Sequence, residues 1–365
     1  MKKAKNIVTV VLLAAFVLGL SVWAVVKPAD SLSTSERRPL SQFPSPSVET
    51  VLNGKFMSAF EDYSLDQFPL RDRWRTLKAL AAYDLFRQRD NNGVYLSGGY
   101  AARLDYPLND SSIDYAAGRF QYVYDRYLAD TGSKVYLSVV PDKNYFLAAQ
   151  GGWPAIDSGE LVEKLLAQVD FATYLDIFPL LTVEDYYKTD SHWRQEKIVP
   201  VAQYLAQAMG TSISGQFTVN TLDVPYYGVY YGYAALPLPS ETIYYLTNAV
   251  LDGCTVRNYE DGTEGGIYDL DKGHGKDPYE LFLSGSVSLL TIENPNAATD
   301  KELIVFRDSY GSSLSPLLAE GYAKVTLVDI RYLPAARLGD FVDFHGQDVL
   351  FLYSTAVLNN SDTLK

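Results

Sequence analysis

Near its C-terminus the chain reads Val305-Phe306-Arg307-Asp308-Ser309-Tyr310-Gly311-Ser312-Ser313. The apolar, branched run at 302–306 predicts a buried strand, and the apolar residues at 314, 317, 318 and 322 predict a helix. Ser309 therefore lies at a strand-to-helix turn. Such a turn places a hydroxyl beside the first N–H groups of a helix, so it can offer a nucleophile and donors for an anion. Asp308 and Ser309 are also ordinary helix caps, which need no chemical role.

A serine hydroxyl is a weak nucleophile without a base, and His192 is the best candidate. It lies in the sequence Lys188-Thr189-Asp190-Ser191-His192-Trp193. A carboxylate two residues away can accept the Nδ1 proton of the imidazole and leave Nε2 free to take a proton from serine. Asp190, His192 and Ser309 thus form a candidate catalytic triad. Trp193 either packs against the imidazole and limits the access of water, or belongs to the ordinary core.

A second Asp-x-His pattern, Asp343-Phe344-His345, follows the serine. It lies in a polar loop just before the predicted strand 348–353, at the amino edge of the sheet, whereas Ser309 follows a strand at the carboxyl edge. His345 is an alternative base that this placement disfavours.

Strands and helices alternate from about residue 111 onward. Helices are predicted at 113–128, 161–169 and 193–209, and strands at 134–140, 171–177, 302–306, 324–330 and 348–353. This alternation predicts an α/β fold with a mostly parallel sheet and helices on both of its faces.

Further charged residues are predicted at the same edge of the sheet. Lys143 follows the strand at 134–140, and Arg331 follows the strand at 324–330. Each can contact a substrate or a developing oxyanion, or can instead serve as a loop or ion-pair residue. The backbone N–H of Ser309, with Tyr310, Gly311 or Arg331, is the candidate oxyanion site.

The N-terminal segment predicts export. Lys2, Lys3 and Lys5 precede twenty uncharged residues at 7–26, enough to cross a bilayer core of about 30 Å as a helix. The basic flank predicts a cytoplasmic N-terminus, with the rest of the chain outside the cytoplasm. We favour an uncleaved anchor over a signal peptide because the apolar run is long and lacks a clear cleavage site.

The domain boundaries follow from composition. Residues 1–30 are a cytoplasmic tip and transmembrane anchor, 31–110 a stalk and helical segment, and 111–365 the α/β domain. A tyrosine-rich insertion at about 210–286 is predicted to be β-rich because apolar and polar residues alternate at 240–246 and 255–259. Its tyrosines can stack on sugar rings or fill the insertion's own core.

Composition excludes several classes of function. The net charge of −13 disfavours nucleic acid as a partner, because a phosphate backbone would be repelled. The single Cys254 cannot form an internal disulfide, and three scattered histidines predict no metal site and no cofactor.

Several motifs together resemble one family. They are Glu36-Arg37-Arg38-Pro39-Leu40, Asn53-Gly54-Lys55-Phe56, Asp66-Gln67-Phe68-Pro69-Leu70-Arg71-Asp72, Asp190-Ser191-His192-Trp193, Arg307-Asp308-Ser309-Tyr310 and Asp329-Ile330-Arg331-Tyr332. The chain resembles the bacterial DHHW proteins, relatives of the alginate O-acetyltransferases in the SGNH-hydrolase-like superfamily. It departs from them at Ser191, where the family name implies histidine, and at Ser284 and Ser286, where relatives read Gly-Gly-Asn. The second departure removes a side-chain amide from the oxyanion site.

This resemblance implies an SGNH-like fold and a serine-dependent O-acetyltransferase or acetylesterase that acts on a cell-envelope or exported polysaccharide. It also implies a membrane O-acyltransferase partner that brings acetyl groups across the bilayer. A non-catalytic carbohydrate-binding or envelope-assembly protein on the same scaffold is the alternative.

Overall fold

The structure is a computed structural model that describes residues 2–297 and 299–365. Its helices are α1 (Lys2–Val26), α2 (Val48–Leu52), α3 (Lys55–Asp66), α4 (Arg71–Leu80), α5 (Asp110–Val123), α6 (Lys143–Gly151), α7 (Ser158–Leu166), α8 (Val199–Ala208), α9 (Val229–Ala234), α10 (Ala249–Asp252), α11 (Leu270–Gly273), α12 (Gly311–Leu318) and α13 (Thr355–Leu358). Its strands are β1 (Leu32–Ser33), β2 (Arg38–Pro39), β3 (Val94–Ser97), β4 (Tyr100–Arg103), β5 (Val135–Val140), β6 (Thr173–Tyr174), β7 (Thr218–Thr221), β8 (Tyr244–Thr247), β9 (Thr255–Asn258), β10 (Glu264–Gly265), β11 (Leu289–Glu293), β12 (Glu302–Arg307), β13 (Lys324–Val328) and β14 (Asp348–Ser354).

The chain divides into two compact units. The first, which we call the N-terminal unit, contains the chain up to Asn92 and the segment Tyr231–Pro237. The second, which we call the sheet unit, contains Gly93–Tyr230 and Leu238–Lys365.

The sheet unit is built on an eight-stranded mixed sheet in the order β10-β9-β11-β13-β12-β14-β5-β6. The five strands from β13 to β6 pair in parallel, whereas β11, β9 and β10 pair antiparallel. The strand predicted at 255–259 is confirmed as β9, which extends the main sheet, whereas the one predicted at 240–246 is shorter and begins only at Tyr244, as β8. The predicted α/β sheet with mostly parallel strands is confirmed.

Both faces of the sheet are buried. Because successive side chains of a strand point to opposite faces, each strand contributes to the core on either side of the sheet. In β12, Leu303 and Val305 contribute to a core with residues of α8 and α12. Ile304 and Phe306 contribute to the other core, with residues of α5 and α7. Phe306 stacks on Phe351 of β14 with ring centroids 4.8 Å apart. A strand buried on both faces needs an unbroken apolar run, which is why 302–306 was recognisable from the sequence.

Some predicted helices begin or end elsewhere. The helix predicted at 193–209 begins at Val199, preceded by a 3₁₀ turn at Gln195–Lys197, and Pro200 lies in its first turn, where proline is tolerated. The predicted helix at 113–128 is α5, and its last five residues form a π-helical turn, Tyr124–Leu128. The predicted strand at 171–177 is reduced to the two residues of β6.

The N-terminal unit is held by ion pairs between its sequence motifs. The Arg38 guanidinium donates to both oxygens of Asp66, at 2.8 and 2.6 Å, and lowers the pKa of that carboxyl. Glu36 pairs with Arg71 at 2.6 Å and with Arg75 at 3.1 Å. The motifs at 36–40 and 66–72 thus form one ionic network.

Helix α1 contains a segment, Lys3–Val26, that is long and apolar enough to cross a membrane by length and composition. A signal sequence passes the same test. The segment therefore fits either a membrane anchor or a signal sequence.

Candidate active site

The turn between β12 and α12 is organised by the buried carboxylate of Asp308. Its Oδ1 accepts the Tyr310 N–H at 3.0 Å, and its Oδ2 accepts the N–H of Ser354, at the end of β14, at 2.8 Å. Its backbone oxygen accepts the Gly311 N–H at 3.1 Å. Asp308 therefore caps the turn and fastens it to the neighbouring parallel strand.

The three residues of the predicted triad lie in one hydrogen-bonded row. Asp190 Oδ1 lies 2.6 Å from His192 Nδ1, and His192 Nε2 lies 2.7 Å from Ser309 Oγ. Asp190 is buried, whereas Ser309 is partly exposed, so the hydroxyl can meet a ligand while the carboxylate is shielded. This is the geometry in which a carboxylate orients an imidazole that accepts a proton from serine.

The other oxygen of Asp190 is held by the insertion. Asp190 Oδ2 accepts the Val229 N–H at 2.8 Å. Gly228 packs so closely that an added Cβ would lie 2.3 Å from Thr189 C and 2.4 Å from Asp190 Cβ. Glu241 accepts the N–H groups of Lys188 and Thr189, both at 2.8 Å. The insertion thus fixes the segment that precedes the histidine, a role that no local pattern in the sequence predicted.

The imidazole of His192 stacks on Tyr279, with ring centroids 3.9 Å apart and an interplanar angle of 12°. Burial raises the pKa of Tyr279 well above its ordinary value, so its phenol stays neutral. The imidazole therefore packs face to face against an aromatic ring. The prediction that Trp193 packs against the imidazole is replaced by this contact, and Trp193 lies in the core.

Ser313 joins the histidine segment to α12. Its Oγ accepts the Trp193 Nε1–H at 2.9 Å and lies 2.8 Å from the Tyr279 hydroxyl. Its backbone oxygen accepts the side-chain amide of Gln195 at 2.9 Å, and the Tyr310 hydroxyl donates to the Ser191 oxygen at 2.7 Å. These contacts fix the distance between His192 and the helix that follows Ser309.

At the turn, the donors available to an oxyanion are fewer than predicted. The N–H groups of Tyr310 and Gly311 both donate to Asp308. The Ser309 N–H makes no hydrogen bond within the part of the chain that the structure describes. Gly311 is required for space, because a Cβ there would lie 2.7 Å from Arg307 Cβ. Ser309 N–H is therefore the candidate oxyanion donor, and the predicted contribution of the Tyr310 and Gly311 N–H groups is not available.

Arg331 and Lys143 bind protein groups in this structure. The Arg331 guanidinium donates to both oxygens of Asp329, at 2.9 and 2.6 Å, which corresponds to the ion-pair alternative. Lys143 is fully buried, and its ammonium donates to the backbone oxygens of Ala101, Tyr187 and Lys188. Lys143 therefore supports the backbone that leads to Asp190. It does not line a substrate site, because its ammonium is buried and all three of its N–H groups donate to backbone oxygens.

Arg307, directly before the turn, is buried and was not singled out in the sequence. Its Nη2 donates to the backbone oxygen of Val287 at 3.2 Å and contacts that of Gly285 at 3.4 Å. Residues 283–285 have positive φ values of 54°, 57° and 84°. Ser284 Oγ donates to Asp269 Oδ2 at 2.7 Å. Arg307 thus anchors the loop that contains the two departures from the family pattern.

A cleft of about 720 Å³ adjoins this loop. Ser284, Ser286 and Val287 line it, together with the acidic residues Glu260, Asp261, Glu264, Asp269, Asp271 and Glu280. Neither Ser309 nor His192 lines the cleft, so it is separate from the hydrogen-bonded row.

The second Asp-x-His pattern lies where the sequence predicted. His345 precedes β14 and lies 3.8 Å from Glu302, the first residue of β12, at the amino edge of the sheet. Among the residues at 2–297 and 299–365, no group of three or more His, Cys, Asp or Glu side chains could hold a metal ion.

The mostly parallel sheet with helices on both of its faces is an α/β fold that solved structures share. A DHHW family protein from Eubacterium siraeum shares it, with a TM-score of 0.60 and 18% identity over 75% of this chain and 95% of that chain. Bacillus cereus PatB1 gives a TM-score of 0.59 and 18% identity over 74% of this chain and 98% of PatB1. The resemblance predicted from the motifs is confirmed for the fold. Identities this low show nothing about activity, so the comparison stops at the fold.

The O-acetyltransferase domain of Pseudomonas putida AlgJ aligns more loosely, with a TM-score of 0.44 and 13% identity over 73% of this chain and 92% of that domain. No protein-family model and no curated protein matches the sequence.

The close approach at Gly228 predicts that Gly228→Ala destabilises the protein. The added methyl group must displace Thr189 and Asp190, and overpacking of this kind costs about 1–3 kcal/mol of unfolding free energy. Urea unfolding measures the change. Gly118→Ala in α5 is the matched control, because an added Cβ there has no atom within 4 Å. A Gly228→Ala variant as stable as the wild type would contradict the close packing.

Lys143 predicts a pH dependence of stability. Burial lowers the pKa of Lys143 to about 8 from 10.5. Between these values the unfolded chain binds more protons than the folded chain, so this group makes stability rise with pH. From pH 8 to about 9.5 the rise is on the order of 1–2 kcal/mol. Urea unfolding at both pH values should show this rise in the wild type and not in Lys143→Met. Equal slopes in the two proteins would show that the ammonium does not titrate as predicted.

Proposed function

We propose that this chain is an extracytoplasmic, serine-dependent O-acetyltransferase or acetylesterase that acts on a cell-envelope or exported polysaccharide. The observation that carries the proposal is the row Asp190–His192–Ser309, with contacts of 2.6 and 2.7 Å at the carboxyl edge of a mostly parallel sheet. The motif resemblance to DHHW proteins supports acetyl groups and glycans as the substrate class. The fold shared with a DHHW family protein is consistent with it.

In the first half of the reaction, His192 Nε2 accepts the Ser309 proton as Ser309 Oγ attacks the carbonyl carbon of an acetyl donor. The Ser309 N–H faces the developing oxyanion, and Asp190 stabilises the imidazolium through Nδ1. The bond to the donor's leaving group then breaks. The leaving group departs with the proton from His192, and Ser309 holds an acetyl ester.

In the second half, a sugar hydroxyl or a water molecule attacks the acetyl-enzyme. His192 accepts the proton of the attacking group and returns it to Ser309 as the ester bond breaks. A sugar hydroxyl gives transfer and water gives hydrolysis, with the same residues in the same roles. The family resemblance favours transfer.

A structural neighbour suggests a chemical probe for Ser309. Bacillus cereus PatB1 is known in a form with a sulfonyl adduct, and that structure aligns with a TM-score of 0.58 over 74% of this chain. Sulfonyl halides sulfonylate activated nucleophiles: an O–S bond to the hydroxyl oxygen forms as halide leaves, so these reagents are suitable probes for Ser309 here.

We place the chain at the cell membrane as a single-pass protein with its C-terminal domain outside the cytoplasm, or as a secreted protein if the N-terminal segment is removed. The helix at Lys3–Val26 supports this localisation. The same placement allows a membrane O-acyltransferase partner to deliver acetyl groups to Ser309. The polysaccharide is then met on the outer side of the bilayer.

A second candidate function is carbohydrate binding or envelope assembly without catalysis. One observation favours it: the loop at 283–287 offers hydroxyls where relatives have an amide, and the Ser284 hydroxyl is already bonded to Asp269. Glycan binding that survives Ser309→Ala, with no acyl chemistry in either protein, would favour this candidate.

The triad proposal predicts the kinetics of four variants with an acetyl ester as substrate. Ser309→Ala and His192→Ala should abolish measurable turnover, and Asp190→Asn should lower kcat by about four orders of magnitude through loss of the correct tautomer. Ser312→Ala is the matched control, because it removes a buried neighbouring hydroxyl that has no hydrogen bond within the described chain. Turnover in Ser309→Ala equal to that of the wild type would refute the proposal, whereas a Ser312→Ala value near wild type is expected.

A further inference from the structure

In helix α4 of the N-terminal unit, charged side chains face inward and apolar side chains face outward. On one side of α4, Arg71 and Arg75 point inward and pair with Glu36, beside the buried Ala79. On the opposite side, Leu77 is 55% exposed. A surface helix of a water-soluble unit normally buries its apolar side and exposes its charges, so this helix needs an apolar environment on its outer side.

The exposed apolar residues form one stripe, which we call the outer stripe. Its members lie along α4 and the π-helical turn that follows it: Leu70, Trp74, Leu77, Leu80, Leu85 and Phe86. The first four recur at intervals of three and four residues, which places them on one side of a helix. Leu85 and Phe86 are 72% and 69% exposed. An exposed apolar surface of this extent marks an interaction site.

The charge of this segment identifies its partner. Residues 71–89 contain six basic and two acidic residues, a net charge of +4 in a chain whose net charge is −13. Four of the basic residues, Arg73, Lys78, Arg87 and Arg89, are exposed, whereas Arg71 and Arg75 pair with Glu36. Arginine and lysine beside an exposed stripe of Trp, Phe and Leu are typical of a helix that lies on an anionic bilayer. The rest of the chain is acidic on balance, so an acidic partner surface is attracted to this basic segment and repelled by most of the remaining surface.

The outer stripe is also continuous with the apolar helix α1. The ring of Trp74 contacts the ring of Phe16 edge to face, with centroids 6.4 Å apart. Phe16 lies inside the segment long and apolar enough to cross a membrane. The stripe therefore touches the one part of the described chain that fits a bilayer by length and composition.

We propose that the outer stripe binds the surface of an anionic lipid bilayer, with its apolar side chains among the acyl chains and Arg73 and Arg87 among the headgroups. The charged residues at 71–73 and 87–90 could also belong to an ordinary solvated face. Charge alone fits that interpretation, but the outward Leu77, Leu85 and Phe86 side chains do not. This is a second membrane contact of the N-terminal unit, in addition to the apolar segment of α1.

A spin-label accessibility measurement on the full chain in nanodiscs tests the proposal. Nitroxide labels at Leu77→Cys and, as control, Val219→Cys are compared on a Cys254→Ala background. Val219 is an apolar residue of β7 with a matched exposure of 56%. In phosphatidylglycerol nanodiscs, the ratio of collisions with oxygen to collisions with a water-soluble nickel chelate should be several-fold higher at 77 than at 219. Both labelled proteins must keep the thermal midpoint of the unlabelled chain.

A second comparison tests whether the lipid surface must be anionic. The high ratio at 77 should fall in phosphatidylcholine nanodiscs, and also in phosphatidylglycerol when Arg73→Glu and Arg87→Glu are combined. Equal ratios at 77 and 219 would overturn the docking surface. Equal ratios at 77 in the two lipids would overturn its assignment to an anionic surface. Protection at 77 that appears only after other membrane proteins are added would assign the stripe to a protein partner instead.

Discussion

The hydrogen bond between His192 Nε2 and Ser309 Oγ joins two segments that lie 117 residues apart in the chain. A proton can pass between these atoms only at hydrogen-bond distance, so both segments must be held in place independently. On the serine side, Asp308 fastens the turn to β14. On the histidine side, Glu241 and Val229 hold the backbone and the carboxylate that precede the ring. Ser313 then connects the two sides.

The parts of this site that could be predicted from the sequence are local. The strand, the turn and the helix around Ser309 follow from hydrophobic spacing, and an Asp two residues before a His can reach its Nδ1 in any extended segment. The supporting residues could not be predicted. Tyr279 is one of 29 tyrosines, and nothing near it in the sequence marks the one that stacks on His192.

The expectations that failed depended on tertiary burial. Lys143 follows a strand at the correct edge of the sheet, yet it is enclosed and its donors are satisfied by carbonyls. The N–H groups of Tyr310 and Gly311 begin a helix, which suggested an anion site, but the carboxylate and the backbone oxygen of Asp308 already occupy them. The N-terminal unit shows a related effect, because Arg71 and Arg75 of α4 pair with Glu36, and no local pattern in the sequence connects them.

The central claim is that His192 activates Ser309 as an acyl acceptor. Intact-mass spectrometry after brief exposure to a p-nitrophenyl acetate-type donor, followed by peptide mapping, tests it most directly. We predict one acetyl adduct per chain, located on Ser309 and absent from both Ser309→Ala and His192→Ala. A folded wild-type protein that gains no adduct, or an adduct that persists at another residue in Ser309→Ala, would contradict the account.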